Sequence, residues 1–297
     1  MKRPTDFNVD FIGIGAPKAG TTWLAAAMAA HPEICFSTVK ETNFFCGENR
    51  GYRGSFLRYN GNNIGQYGLF FRKYRPGQIR GEFTVRYMID SSAPYVIQRH
   101  FPDVKILAVL REPTSRFLSS YLYSRHTIHL IDRSLEEVVK SDDFFIRLGM
   151  YGELLAPYFR LFPRENIKVL IYEEMKSDPR KALSEIFEFL NVDPTFVPHE
   201  LMGKIINPTV KSRFREAVAI MKVLRLVMIR IGIGGRFSES LYNGLMRTVS
   251  RINTSPLVVK PIDDETKERI RTLYREDRRK LEALLNRDLS PVWGPQL

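Results

Sequence analysis

The sequence predicts an α/β fold: a parallel β-sheet flanked by helices, with a helical C-terminal part. Three observations predict it. Short, near-continuous apolar runs alternate with segments of helical period, as expected for strands buried on both faces. The first run leads through a glycine-rich turn, GIGAPKAGTTW (residues 13–23), into an alanine-rich segment. At 297 residues and 44% hydrophobic content, the chain can bury one large core.

The elements follow in order. Phe11–Ile14 reads as a strand, Thr21–Ala30 as a helix and Ile34–Ser37 as a weaker strand. Residues 46–80, rich in Gly, Asn, Arg and aromatics, read as a long excursion. A helix over Ala93–Arg99 precedes the strand Lys105–Leu110 (KILAVL), and one over Ser115–Arg125 follows it. Tyr151–Phe162 is helical and leads to the strand Ile167–Ile171 (IKVLI). Pro179–Leu190 is a helix with Asp178 as N-cap, Pro179 in its first turn and Leu183, Ile186, Phe187 and Leu190 on one face. Residues 217–237 are apolar but interrupted by Lys222, Arg225 and Arg230. They read as a mostly buried helix, with a membrane-surface helix as the alternative. Asp263–Leu285 is a charged amphipathic helix, and Leu289–Trp293 a docked tail. Together these describe a single domain over residues 1–297, mainly helical from 211 onward.

The net charge of +12 favours anionic partners. Residues 211–251 alone carry nine Lys/Arg and two Glu. Cys35 and Cys46 fit neither a zinc pattern nor a disulfide framework and read as free thiols in a reducing compartment. MKRPTDFNVD has no apolar signal core, and no run approaches the roughly 18 apolar residues of a membrane span. A soluble, cytoplasmic protein without a transmembrane segment is expected. Nothing in the sequence fixes an oligomeric state.

The turn is an anion cradle. A glycine-rich loop entering a helix presents backbone N–H groups and the positive end of the helix dipole. Lys18, Thr21 and Thr22 add a charge and two hydroxyls. The loop departs from the ATPase pattern G-x-x-x-x-G-K-[ST]: Gly15 and Gly20 are spaced correctly, but Thr21 replaces the lysine, which sits at Lys18. KILAVL runs directly into Arg111. An arginine there suits a second anionic group, not a cation.

APKAGTTWL resembles the 5′-phosphosulfate loop of sulfotransferases that use 3′-phosphoadenosine 5′-phosphosulfate (PAPS). LREPTSRFLSSY resembles that family's 3′-phosphate motif, an arginine (Arg111) followed eight residues later by a serine (Ser119). IYEEMKSDPRKALSEIFEFLNV resembles a later family segment, so the similarity covers residues 9–195, with a weaker echo in KLEALLNRDLSPVW. The resemblance implies a P-loop-like sheet. It implies that Lys18, Ala19, Gly20, Thr21, Thr22, Trp23, Arg111, Ser119 and Tyr151 bind PAPS, and its product PAP (3′-phosphoadenosine 5′-phosphate), with no metal required. Lys211, Ser212 and Arg213 are further candidates for the 3′-phosphate.

VKETNFF is similar to the K-E-x-x-F-F pattern of glycan-modifying members, the heparan-sulfate type among them. That implies Glu41 as general base, Lys18 stabilising the leaving phosphate, and Lys40, Phe44 and Phe45 on the acceptor side. GEFTVRYM stands where such members carry E-K-[ST]-P-x-Y. Glu82, Thr84 and Tyr87 remain, but Phe83 replaces the lysine and Val85 the proline. Glu82, Arg86 and Tyr87 join the acceptor-side candidates, and the missing lysine counts against a highly sulfated polysaccharide. The expected acceptor is a hydroxyl or amine of a sugar, a glycolipid or a small metabolite. The aromatics of the excursion suit either a sugar or a metabolite. Two alternatives are a nucleoside-phosphate kinase using ATP and magnesium, and a basic nucleic-acid-binding module. The second lacks any helix-turn-helix, zinc-finger or RNA-recognition signature, so no nucleic-acid partner is expected.

Overall fold

The computed structural model describes residues 7–47, 59–61, 63–141, 143–203, 210–212, 254–256 and 262–295. The segment 217–237, Arg213, and Tyr52 and Phe56 of the excursion lie outside them. The chain divides into two compact units, Met1–Phe117 with Asp143–Ile206 and Glu268–Leu297, and Leu118–Asp142 with Asn207–Lys267.

The first unit carries a five-stranded, all-parallel sheet. In chain order its elements are β1 (Phe11–Gly15), α1 (Thr21–Ala30), β2 (Ile34–Phe36), β3 (Ile79–Phe83), α2 (Ala93–His100), β4 (Lys105–Leu110) and α3 (Pro113–Leu122), whose last turns belong to the second unit. The second unit adds α4 (Leu135–Ser141), opened by a reciprocal cap between Ser134 and Glu137. The first unit continues with α5 (Asp143–Arg147), α6 (Tyr151–Leu161), β5 (Ile167–Ile171), α7 (Tyr172–Ser177) and α8 (Pro179–Leu190). The antiparallel pair β6 (Val210–Ser212) and β7 (Thr254–Pro256) belongs to the second unit. Helices α9 (Asp264–Leu285) and α10 (Ser290–Trp293) close the chain. Among the described residues no helix is long and apolar enough to cross a membrane.

The sheet order is β2-β3-β1-β4-β5. Every residue of β1 is buried, as is every residue of β4 after Lys105. Helix α8 forms as its pattern requires. Asp178 accepts from the Lys181 N–H at 3.0 Å, Asn191 ends the helix in the left-handed region, and Leu183, Ile186, Phe187 and Leu190 are buried.

The strand missing from the sequence reading is β3, at the end of what was read as an excursion. It lies between β2 and β1, yet reads IRGEF. Three local arrangements make this polar strand compatible with the interior. The Arg80 guanidinium lies 3.5 Å from the Tyr74 ring centroid. Gly81 leaves room for the Phe11 ring, which would be 2.2 Å from a Cβ there. Glu82 is fully buried and accepts from the hydroxyls of Thr42, Tyr67, Thr84 and Tyr87, each at 2.7 Å. Burial pushes its pKa up, against the pull of these four donors.

Candidate active site

In a parallel sheet, ligands bind beyond the carboxyl ends of the strands, where the connections diverge to opposite sides. Here that point lies between β1 and β4. From β1 the chain goes outward to β2, and from β4 it goes the other way to β5. The loop after β1 and the arginine after β4 therefore meet: Arg111 Nη1 donates to the Lys18 carbonyl at 3.2 Å.

The loop is built to leave a helix N-terminus available. Gly20 is the N-cap of α1 with φ 79°, no side chain caps it, and the first turn holds no acidic residue. The first intrahelical bond comes from the Trp23 N–H to the Gly20 carbonyl at 3.0 Å. The N–H groups of Gly20, Thr21 and Thr22 thus precede the helical ladder. Only glycine suits position 20, because a Cβ would also lie 2.9 Å from Met175 Cε and 3.0 Å from the Tyr172 ring. Lys18 itself is left-handed, with φ 66°. Burial first, then the charge of Arg111, holds its pKa down at about 8. Two cations kept this close form a site suited to an anion. The Arg111 guanidinium also lies 5.0 Å from the Tyr172 ring centroid.

Glu41 stands at the same sheet edge. Its N–H donates to the Phe83 carbonyl at 3.1 Å, at the end of β3. One carboxylate oxygen accepts from the Val85 N–H at 2.9 Å, and the other pairs with Lys40. The backbone that holds it continues to β1, with Thr84 N–H on Gly13 O at 2.8 Å and Met88 N–H on Ile14 O at 2.9 Å. Segment 83–88 therefore ties the carboxylate to the strand that feeds the loop. Glu41 and Asn43 both have positive φ, 64° and 52°. The Asn43 amide holds the turn by donating to the Glu41 carbonyl at 2.7 Å.

Several expected contacts are relocated. Phe44, Phe45, Glu82 and Tyr87 are buried and offer no surface to an acceptor. Phe44 and Phe45 pack against Tyr67, and Glu82 and Tyr87 lock the turn from beneath. Tyr67 and Phe71 of the excursion are likewise core. Tyr151 is fully buried, and its hydroxyl donates to the Arg111 carbonyl at 3.0 Å, so it supports the arginine from behind. Lys40 is engaged by Glu41. Arg86 is half-buried beside Cys46, whose thiol is pushed up to about 12 by burial and Asp90 against the pull of that arginine. Both cysteines are free. Ala19 and Thr21 are buried within the loop, and the Trp23 indole N–H donates to the Leu201 carbonyl at 3.0 Å. Ser119 is carried by α3 in the second unit, and Lys211 and Ser212 by β6 of that unit.

Sequence reasoning missed Glu112, Tyr172, Glu173 and Asp277. Glu112 caps α3 by accepting from Thr114 N–H at 2.8 Å and Ser115 N–H at 2.7 Å; its place just before Pro113 was the available signal. Asp277 of α9 caps α6, accepting from Gly152 and Glu153 N–H at 2.8 Å each. No local pattern announces a cap supplied from so far along the chain.

Known proteins resemble this chain in sequence and in fold. The family described as Sulfotransferase domain matches residues 8–220. The chain is 26% identical over 194 residues to heparan sulfate glucosamine 3-O-sulfotransferase 6 of Mus musculus, over 60% of this chain and 51% of that protein. It is 24% identical over 245 residues to carbohydrate sulfotransferase 15 of Rattus norvegicus, over 62% and 44%. The chain thus spans about half the length of these curated relatives. A sulfotransferase crystal structure from Alicyclobacillus acidocaldarius shares the fold, with TM-score 0.69 and 22% identity over 97% of this chain and 100% of that one. With the family matched over most of its length, the chain belongs to the sulfotransferase domain family.

Proposed function

We propose that the protein transfers the sulfuryl group of PAPS to a sugar hydroxyl. The observation that carries this reading is the meeting of Arg111 with the Lys18 loop at the sheet's switch point. That meeting provides two cationic anchors, for a ligand with separate anionic groups. The donor set fits PAPS: N–H groups of Gly20, Thr21 and Thr22 with Lys18 for the 5′-phosphosulfate, and Arg111 for the 3′-phosphate. Bound PAPS supplies an activated sulfuryl group with a stable leaving phosphate. Glu41 takes the acceptor's proton as its oxygen bonds to sulfur. Lys18 neutralises the bridging oxygen as the sulfur–oxygen bond breaks and the electron pair passes to the phosphate.

A sugar is favoured over an apolar metabolite by the names of the relatives, a heparan sulfate glucosamine 3-O-sulfotransferase and a carbohydrate sulfotransferase. The test is a PAPS assay with a panel of neutral oligosaccharides, glycolipids, phenols and aliphatic alcohols, read as acceptor-dependent PAP. PAP should form with carbohydrate acceptors and vanish in Glu41→Gln. Turnover confined to phenols or alcohols would overturn the sugar assignment.

Lys18 gives a pH dependence. Its pKa in the free protein is held at about 8, and a bound phosphate must raise it. Binding above pH 8 therefore takes up a proton, so affinity is highest when Lys18 is already protonated. PAP affinity measured by calorimetry should fall about twofold between pH 7 and 8 and then by up to about tenfold per pH unit. Lys18→Met should bind more weakly and lose this slope. A slope unchanged in Lys18→Met would assign the titration to another group.

A further inference from the structure

The peptide unit that joins Arg111 to Glu112 is held at both of its polar atoms. Its carbonyl accepts from the Tyr151 hydroxyl at 3.0 Å. Its N–H, on Glu112, donates to Glu173 Oε1 at 3.1 Å. The other Glu173 oxygen accepts from the Trp293 indole N–H at 3.0 Å, a contact between residues 120 apart in the chain. Trp293 is buried and its ring lies 6.3 Å from that of Tyr151. Tyr151 opens α6, whose first turn is capped by Asp277 of α9. Glu173 follows Tyr172, the residue whose ring faces the Arg111 guanidinium. The arginine's side chain and the peptide after it are thus fixed from one helix start, α7, which is itself tied down by α10.

A peptide plane pinned at O and N fixes the backbone from which the Arg111 side chain reaches the Lys18 carbonyl. We propose that Glu173 and Trp293 are positioning residues for Arg111, so that the α9–α10 segment sets the protein's preference for nucleotides bearing a 3′-phosphate. The inference rests on the PAPS reading above. Their role is indirect: Glu173 acts through the peptide, and Trp293 acts through Glu173.

The test compares affinities for PAP and AMP by calorimetry, in wild type, Trp293→Phe and Glu173→Gln. Phenylalanine keeps an apolar ring and removes only the N–H donor. Glutamine keeps the side chain's size, but its amide cannot accept from both donors at once. Wild type should prefer PAP. Each variant should lose about tenfold in PAP affinity, the effect of one charge-assisted hydrogen bond, with AMP affinity unchanged. Equal losses for PAP and AMP would mean a general structural role and overturn the proposal. Unchanged PAP affinity in folded Glu173→Gln would overturn it as well, whatever the tryptophan variant does. A wild type that binds AMP as tightly as PAP would bring down the cofactor assignment itself, and the positioning role with it.

Discussion

Glu41→Gln is expected to lower kcat by about a thousandfold, within the range for loss of a general base, while PAP affinity stays within about twofold. The carboxylate is held by the Val85 N–H at 2.9 Å and by Lys40, in the turns that follow β3 and β2. Neither Arg111 nor the α1 N-terminus depends on those contacts. A companion pair separates chemistry from strain. Glu41 has φ 64°, a conformation that costs an ordinary L-residue about 1–2 kcal/mol and glycine little. Glu41→Gly and Glu41→Ala both remove the carboxylate. The glycine variant should be the more stable of the two by about 1 kcal/mol in urea denaturation, and both should be inactive. An alanine variant as stable as the glycine variant would show that the turn stores no such strain. Full activity in Glu41→Gln would assign the base elsewhere.

The second large effect is on stability. Glu82→Leu should cost at least about 4 kcal/mol, a large part of a typical domain's total. Four hydroxyls, on Thr42, Tyr67, Thr84 and Tyr87, converge on this fully buried carboxylate. Leucine fills the space and accepts nothing, so buried donors lose their partner. Adding Tyr67→Phe and Tyr87→Phe should recover part of the loss, because donors and acceptor are then removed together. Chemical denaturation of the single and triple variants measures both steps. A Glu82→Leu protein within about 1 kcal/mol of wild type would mean that the network contributes little.

Legibility followed chain distance. Lys18 and Arg111 could be read because each closely follows an apolar strand, and the parallel sheet brings such strand ends together. Helix α8 could be read because its cap, its face and its final Asn191 lie within one short segment. Strand β3 could not. Its Glu82 looks like a surface residue until Thr42 and Tyr67 arrive from outside the strand. Its Arg80 needs Tyr74, which the sequence offers only as one aromatic among many. The same limit explains the acceptor-side residues. K-E-T-N-F-F located Glu41 at the sheet edge, but only packing shows that Phe44 and Phe45 face inward. Tyr151 was linked to the nucleotide by resemblance, whereas the structure links it to the Arg111 carbonyl. The Glu173–Trp293 contact joins two segments that no motif connects.

If the Lys18 loop and Arg111 together hold a nucleotide phosphorylated at both the 5′ and 3′ positions, thermal unfolding with PAP, set beside ADP with and without magnesium, will separate the ligands. PAP at about a hundred times its Kd should stabilise the protein by about 2.7 kcal/mol without added metal, and ADP should stabilise it far less under either condition. Stabilisation by ADP with magnesium equal to or greater than that by PAP would contradict the two-anchor reading and restore the kinase alternative.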